Sequence, residues 1–111
     1  MNQSQNNQCQ LIIISSVESY RDHVIKLVKS VKIQSFTIHS AHGYKDVSAQ
    51  HIEDNWFGAE TNETSSVVFH IYTSSDLAKE LLLKIKEFNL STEYTSKIHM
   101  VVLNIENSSF E

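Results

Sequence analysis

Ser66 to Thr73 reads SVVFHIYT, and Ser35 to His42 reads SFTIHSAH. Apolar and polar residues alternate in both, the period-two signature of strands buried on one face. Val67, Phe69 and Ile71 separate from Val68, His70 and Tyr72, as Phe36, Ile38 and Ser40 separate from Thr37, His39 and Ala41. A short turn would make the two stretches a simple hairpin. A polar insert from Tyr44 to Ser65 lies between them instead. Connections beyond about 15 residues are uncommon unless they bind something or lack fixed structure. The insert is therefore expected to be the working part of a small scaffold. It holds the only tryptophan, Trp56, together with Phe57, His51, Glu53, Asp54, Glu60 and Glu63.

Toward the N-terminus, Gln10–Ser16 (QLIIISS) is dense in β-branched residues and apolar on both faces, which suits a central strand. Ser19 is placed to cap a helix with Asp22 in its first turn. That helix presents Val24, Leu27, Val28 and Val31 as one apolar stripe and turns Lys26, Lys29 and Lys32 to water. Toward the C-terminus, Ser74 or Ser75 with Asp76 opens a second helix. Its stripe is Leu77, Leu81, Ile85 and Phe88, widened by Ala78 and Leu82, and Asn89 is the expected stop. Lys97–Ile105 (KIHMVVLNI) is the last strand.

The order β-α-β-β-α-β, with one apolar stripe per helix, predicts an α+β, ferredoxin-like fold. Its four-stranded antiparallel sheet carries both helices on one face and a long loop between strands two and three. The expected organisation is a polar tail over 1–9, one domain over 10–105 with its insert at 44–65, and a short tail over 106–111. The second sheet face, with Ile12, Ile14 and residues of strand four, is too apolar to stand bare in water, and such patches mark interfaces. A homo-oligomer follows. His39, His70 and His99 can approach one another on this face, either as hydrogen-bonded interface residues or as a metal- or pH-responsive cluster.

Composition narrows the function. The net charge is −4 over 111 residues, against nucleic acid as a partner, since phosphate binding relies on clustered Lys and Arg. With two glycines and no proline, glycine-rich phosphate cradles are absent. The single cysteine, Cys9, has no internal disulfide partner and no adjacent activator. No apolar run approaches the ~20 residues that span a bilayer, so direct membrane insertion is not expected. The first eight residues lack the basic and apolar regions of a signal peptide, so a cytoplasmic location is expected. No nucleophile context stands out, and no enzyme activity is expected.

At this point the chain resembles the PII-like signalling superfamily. The resemblance rests on QLIIISSVESYRDHVIKLVKSVKIQSFTIHSAHGYKD, SSVVFHIYTSSDLAKELLLKIKEFN and SKIHMVVLNIE, which cover most of the sequence. Ser40-Ala-His-Gly-Tyr-Lys-Asp46 looks like the entry to that family's T-loop. Asn55-Trp-Phe-Gly58 is similar to small bacterial PII-like proteins of unassigned role, some associated with heavy-metal efflux pumps. The resemblance implies a trimer with its sheets facing the centre. It also implies a ligand between subunits near Gly43, Tyr44, Lys45 and Lys97, and a T-loop that signals to a partner such as a membrane transporter.

The sequence departs from ATP-binding members in Asn89–Ser96 (NLSTEYTS), which has no glycine or basic residue, and in the absence of any arginine after Arg21. The cofactor stays open between a nucleotide, another small ligand and a divalent metal. For metal, the candidates are His42, His51 and Glu53, because mixed histidine and carboxylate sets suit zinc-like ions. Trp56 and Phe57 either anchor the loop to the body or insert into a partner, as aromatic hot spots do. Gly43 supplies either an unusual backbone angle or a plain strand-end turn. Two other readings are an RRM-like nucleic-acid-binding module, although RRMs need stacking aromatics on strands one and three, and a ligand-free structural or interaction subunit. Acylphosphatase is excluded by Ser15–Ser19 where its phosphate loop would stand, and a heavy-metal chaperone by the lack of a paired-cysteine motif.

Overall fold

The computed structural model describes residues 8–44, 63–92 and 96–109. Strand β1 (Cys9–Val17) leads through a 3-10 turn (Glu18–Tyr20) into helix α1 (Arg21–Ser30). Strands β2 (Thr37–Tyr44) and β3 (Glu63–Ser74) follow, then helix α2 (Ser75–Ser91) and strand β4 (His99–Asn104). The sheet order is β2-β3-β1-β4, antiparallel throughout. This is the predicted ferredoxin-like arrangement with β1 and β3 in the centre.

The core lies between the sheet and the two helices. Val67, Phe69 and Ile71 of β3 are fully buried beside Ile12 and Ile14 of β1, under Val24 and Val28 of α1 and Leu81 and Ile85 of α2. Each such side chain contributes roughly 1.5–3 kcal/mol by leaving water. Lys26, Lys29 and Lys32 are exposed, as the helical period requires.

Several local expectations are corrected. Ile12 and Ile14 pair with Ile71 and Phe69, so they face the helices, and the open face of β1 belongs to Leu11 and Ile13. Ser19 does not cap α1: it lies within the 3-10 turn, and Tyr20 occupies the N-cap position without a side-chain cap bond. Ser74 is the cap of α2, accepting from Leu77 N at 3.3 Å. Helix α2 runs past Asn89 to Ser91. Tyr44 and Glu63 are cross-strand partners, so the insert narrows to residues 45–62. Strand β1 opens at Cys9, inside the expected tail.

Helix α1 ends in a Schellman motif. Ile33 N donates to Val28 O at 3.4 Å and Lys32 N to Lys29 O at 2.9 Å. Buried Ile33 makes the accompanying apolar contact in the core. The motif forces Lys32 into the left-handed region at φ 69°, where a Cβ costs on the order of 1 kcal/mol. Lys32→Gly is therefore expected to raise the unfolding free energy by roughly 0.5–1 kcal/mol, read as a higher urea midpoint at unchanged slope.

Candidate functional site

Where β1 and β2 end and β3 and β4 begin, a cleft of about 510 Å³ opens at one end of the sheet, within the range of small-ligand pockets. Ser15, Ser16 and Val17 of β1 line it centrally, Gly43 and Tyr44 lie to one side, and Ser96, Lys97 and His99 to the other. Thr64 and Ser66 of β3 complete it. The lining is rich in hydroxyls, with one ammonium and one imidazole.

Gly43 sits in regular strand, not at a positive φ. Its small size matters through space instead: a Cβ there would stand 2.9 Å from Ser66 Oγ. The unusual-angle reading of Gly43 is thereby excluded, and what a side chain there would meet is the Ser66 hydroxyl, with the Thr64 carbonyl at an ordinary 3.7 Å.

The opposite wall is held by Asn89, Lys97 and Tyr20, in roles that the sequence did not mark. Asn89 of α2 donates from Nδ2 to Ile98 O at 2.8 Å and accepts at Oδ1 from Ile98 N at 2.8 Å. Its side chain thus acts as a one-residue strand partner for the chain entering β4. Lys97 Nζ donates to Asn89 O at 2.8 Å, a favourable place for a cation near a helix C-terminus. Tyr20 Oη donates to Ser96 O at 3.1 Å while its ring meets Phe88 edge-on. Residues 96, 97 and 98 are each tied down. No local pattern announces Asn89, because its partner lies nine residues away across the end of a helix.

Of the expected ligand-binding residues, Gly43, Tyr44 and Lys97 line this one cleft; Lys45 lies outside the described residues. Trp56, Phe57, His51 and Glu53 also lie outside them. His42 is exposed on β2 opposite Ser65 and does not line the cleft. Among the described residues no group of three or more His, Cys, Asp or Glu could hold a metal ion.

The open sheet face adjoins the cleft. Tyr72, Val101 and Leu103 are 58%, 53% and 45% exposed there, next to half-buried Leu11, Ile13 and Val68. His39 and His70 touch on this face, their ring centroids 5.0 Å apart. His99 stands beyond β1, opposite Ser15, so the expected three-histidine cluster resolves into a pair and an outlier. Away from the cleft, Glu18 accepts from Arg21 Nε at 2.7 Å. That hydrogen bond holds its carboxyl below the ordinary value. The small stabilisation of this exposed pair is present at neutral pH and lost as pH falls through the lowered value.

No protein-family model and no curated protein matches the sequence. Solved structures do match in shape. The Bacillus subtilis GlnK–ATP complex aligns with a TM-score of 0.64 at 16% identity, over 91% of this chain and 86% of that one. A DUF3240 family protein from Shewanella baltica aligns at 0.63 and 10% identity, over 91% and 93%. A PII-like signalling protein from Thermus thermophilus aligns at 0.60 and 15% identity, over 89% and 88%. No helix among the described residues is long and apolar enough to cross a membrane.

Proposed function

We infer that this chain, whose fold is that of the PII-like signalling proteins, is a non-enzymatic regulator. It binds a small polar ligand in the cleft and signals through the segment between β2 and β3. One observation carries the reading. Gly43 and Tyr44, where the chain enters that segment, and Thr64, just after it returns, line the cleft together. A ligand seated there touches both roots of the insert, and ordering of a segment is a common switching device.

The lining narrows the ligand. Hydroxyls of Ser15, Thr64, Ser66 and Ser96 offer hydrogen bonds, and Lys97 supplies the cation. An ammonium has three donors, so the bond to Asn89 O leaves capacity for an anion. The cleft lacks arginine among its described lining residues, which favours a compact anion over a polyphosphate. The similar structures include a PII protein with citrate and a PII-like protein with ADP, AMP and bicarbonate. The apolar open face beside the cleft supports self-association, and the family resemblance makes three copies with a shared cleft the arrangement to test. The described strand residues of this face include no lysine or arginine, which weighs against nucleic acid as its partner. A membrane transporter is the partner that the family resemblance puts first for testing.

The test is thermal-shift and calorimetric titration of the whole chain with citrate, bicarbonate, inorganic phosphate, AMP and ATP. At least one is expected to bind. Lys97→Ala is expected to weaken that binding about 10–100-fold, the loss of one charge-assisted hydrogen bond. Binding unaffected by Lys97→Ala, or no binding by any of these probes, would overturn the reading.

A further inference from the structure

The geometry points to a second site, a divalent-metal site formed by His39 and His70 on the open sheet face. His39 pairs with Val68 and His70 with Thr37. The two histidines are therefore diagonal neighbours on adjacent antiparallel strands, with their side chains on the same face. Neither lines the cleft, so the site is separate from the ligand site proposed above.

Their ring centroids stand 5.0 Å apart at an interplanar angle of 84°. Two imidazoles on one tetrahedral zinc, with Zn–N near 2.0–2.1 Å, put their ring centres roughly 5 Å apart. The backbone thus holds the rings at the separation that chelation needs. Chelation then needs side-chain rotation that aims one nitrogen of each ring at a common point. In the single chain His39 is exposed and His70 half-buried; in the proposed trimer the same face is covered, and an ion held there lies against a neighbouring copy. The described residues of this face include no lysine or arginine to repel a cation.

Imidazole pairs select late first-row ions such as zinc, nickel and copper over magnesium or calcium, which prefer oxygen donors. No third histidine, cysteine or carboxylate joins the pair among the described residues. The remaining positions fall to water, or to a residue of a second copy laid on the same face. The expected site is accordingly incomplete within one copy, unlike a four-ligand structural zinc closed within a single chain.

The experiment is calorimetric titration of the full-length chain with zinc chloride at neutral pH, repeated with magnesium chloride. Zinc is expected to bind, and magnesium not. His39→Asn and His70→Asn are each expected to weaken zinc binding at least tenfold, while His23→Asn, on α1, leaves it unchanged. Far-UV circular dichroism and melting curves of each variant confirm that the fold persists; both histidines lie outside the core. Cobalt(II) offers a second readout, with its visible bands lost in both pair variants. No zinc binding by the wild-type chain, or binding that survives either substitution, would overturn the proposal.

Discussion

Asn89→Ala is expected to lower the unfolding free energy by about 2–3 kcal/mol and to weaken ligand binding in the cleft. Ile98 is almost fully buried at 2% exposure, and its backbone N–H and C=O both bond to the Asn89 side chain. Each polar group orphaned by the substitution costs about 1–3 kcal/mol if it stays dry. Water entering beside half-buried position 89 offsets part of that. For a domain whose whole stability is ~5–15 kcal/mol, the loss is large. Urea unfolding measures it as a shifted midpoint. Asn89→Asp keeps the acceptor for Ile98 N but sets a carboxylate oxygen against Ile98 O near a helix C-terminus, so it is expected to cost at least as much as Asn89→Ala. A loss under about 0.5 kcal/mol would mean that water replaces the side chain at both groups, and the account of the wall would fail. The binding effect follows from place: Ser96 and Lys97 line the cleft, and the Asn89 clamp helps to pin the chain that carries them to α2.

The double substitution Val101→Glu with Leu103→Glu is expected to convert the proposed trimer to monomers without unfolding it. In the single chain these side chains are 53% and 45% exposed, so a carboxylate at either stays in water and the fold survives. On association both would be buried against apolar neighbours, and an unpaired buried charge costs several kcal/mol. Light scattering should report about three times 12.7 kDa for the wild-type chain and 12.7 kDa for the variant, with matching far-UV spectra. Leu90→Glu is the control, because Leu90 is 87% exposed on α2, away from the open face. A wild-type chain that scatters as a single copy at micromolar concentration would remove the shared cleft. A variant that stays trimeric would move the interface to another surface.

Much of the fold was legible because the patterns that carry it are local. Alternation in SFTIHSAH and SVVFHIYT, and the stripes through Val24–Val31 and Leu77–Phe88, each report one element's own buried face. Gly43 and Tyr44 were marked by the family resemblance and by position next to the insert, and Lys97 by the resemblance as the cation near the stretch after the second helix. Their meeting in one cleft depends on β2 and β4 bracketing the two central strands. Where a local signal was ambiguous, the expectation went astray. Leu11, Ile12, Ile13 and Ile14 are apolar in succession, so nothing in their order says which pair faces the helices. Only pairing of Ile12 with Ile71 and Ile14 with Phe69 decides it. Ser19 has the chemistry of a cap, but Tyr20 packs on Phe88 and bonds to Ser96, with Ser19 in the turn before α1.

The sequence alone determined the kind and order of the elements, because side-chain periodicity reflects a helix or strand before it meets any neighbour. Tertiary structure alone decided the strand register, the Asn89 clamp on Ile98 and the contact of His39 with His70. Those features join residues far apart along the chain, and their partners become neighbours only once the sheet has closed and the core has chosen which faces to bury.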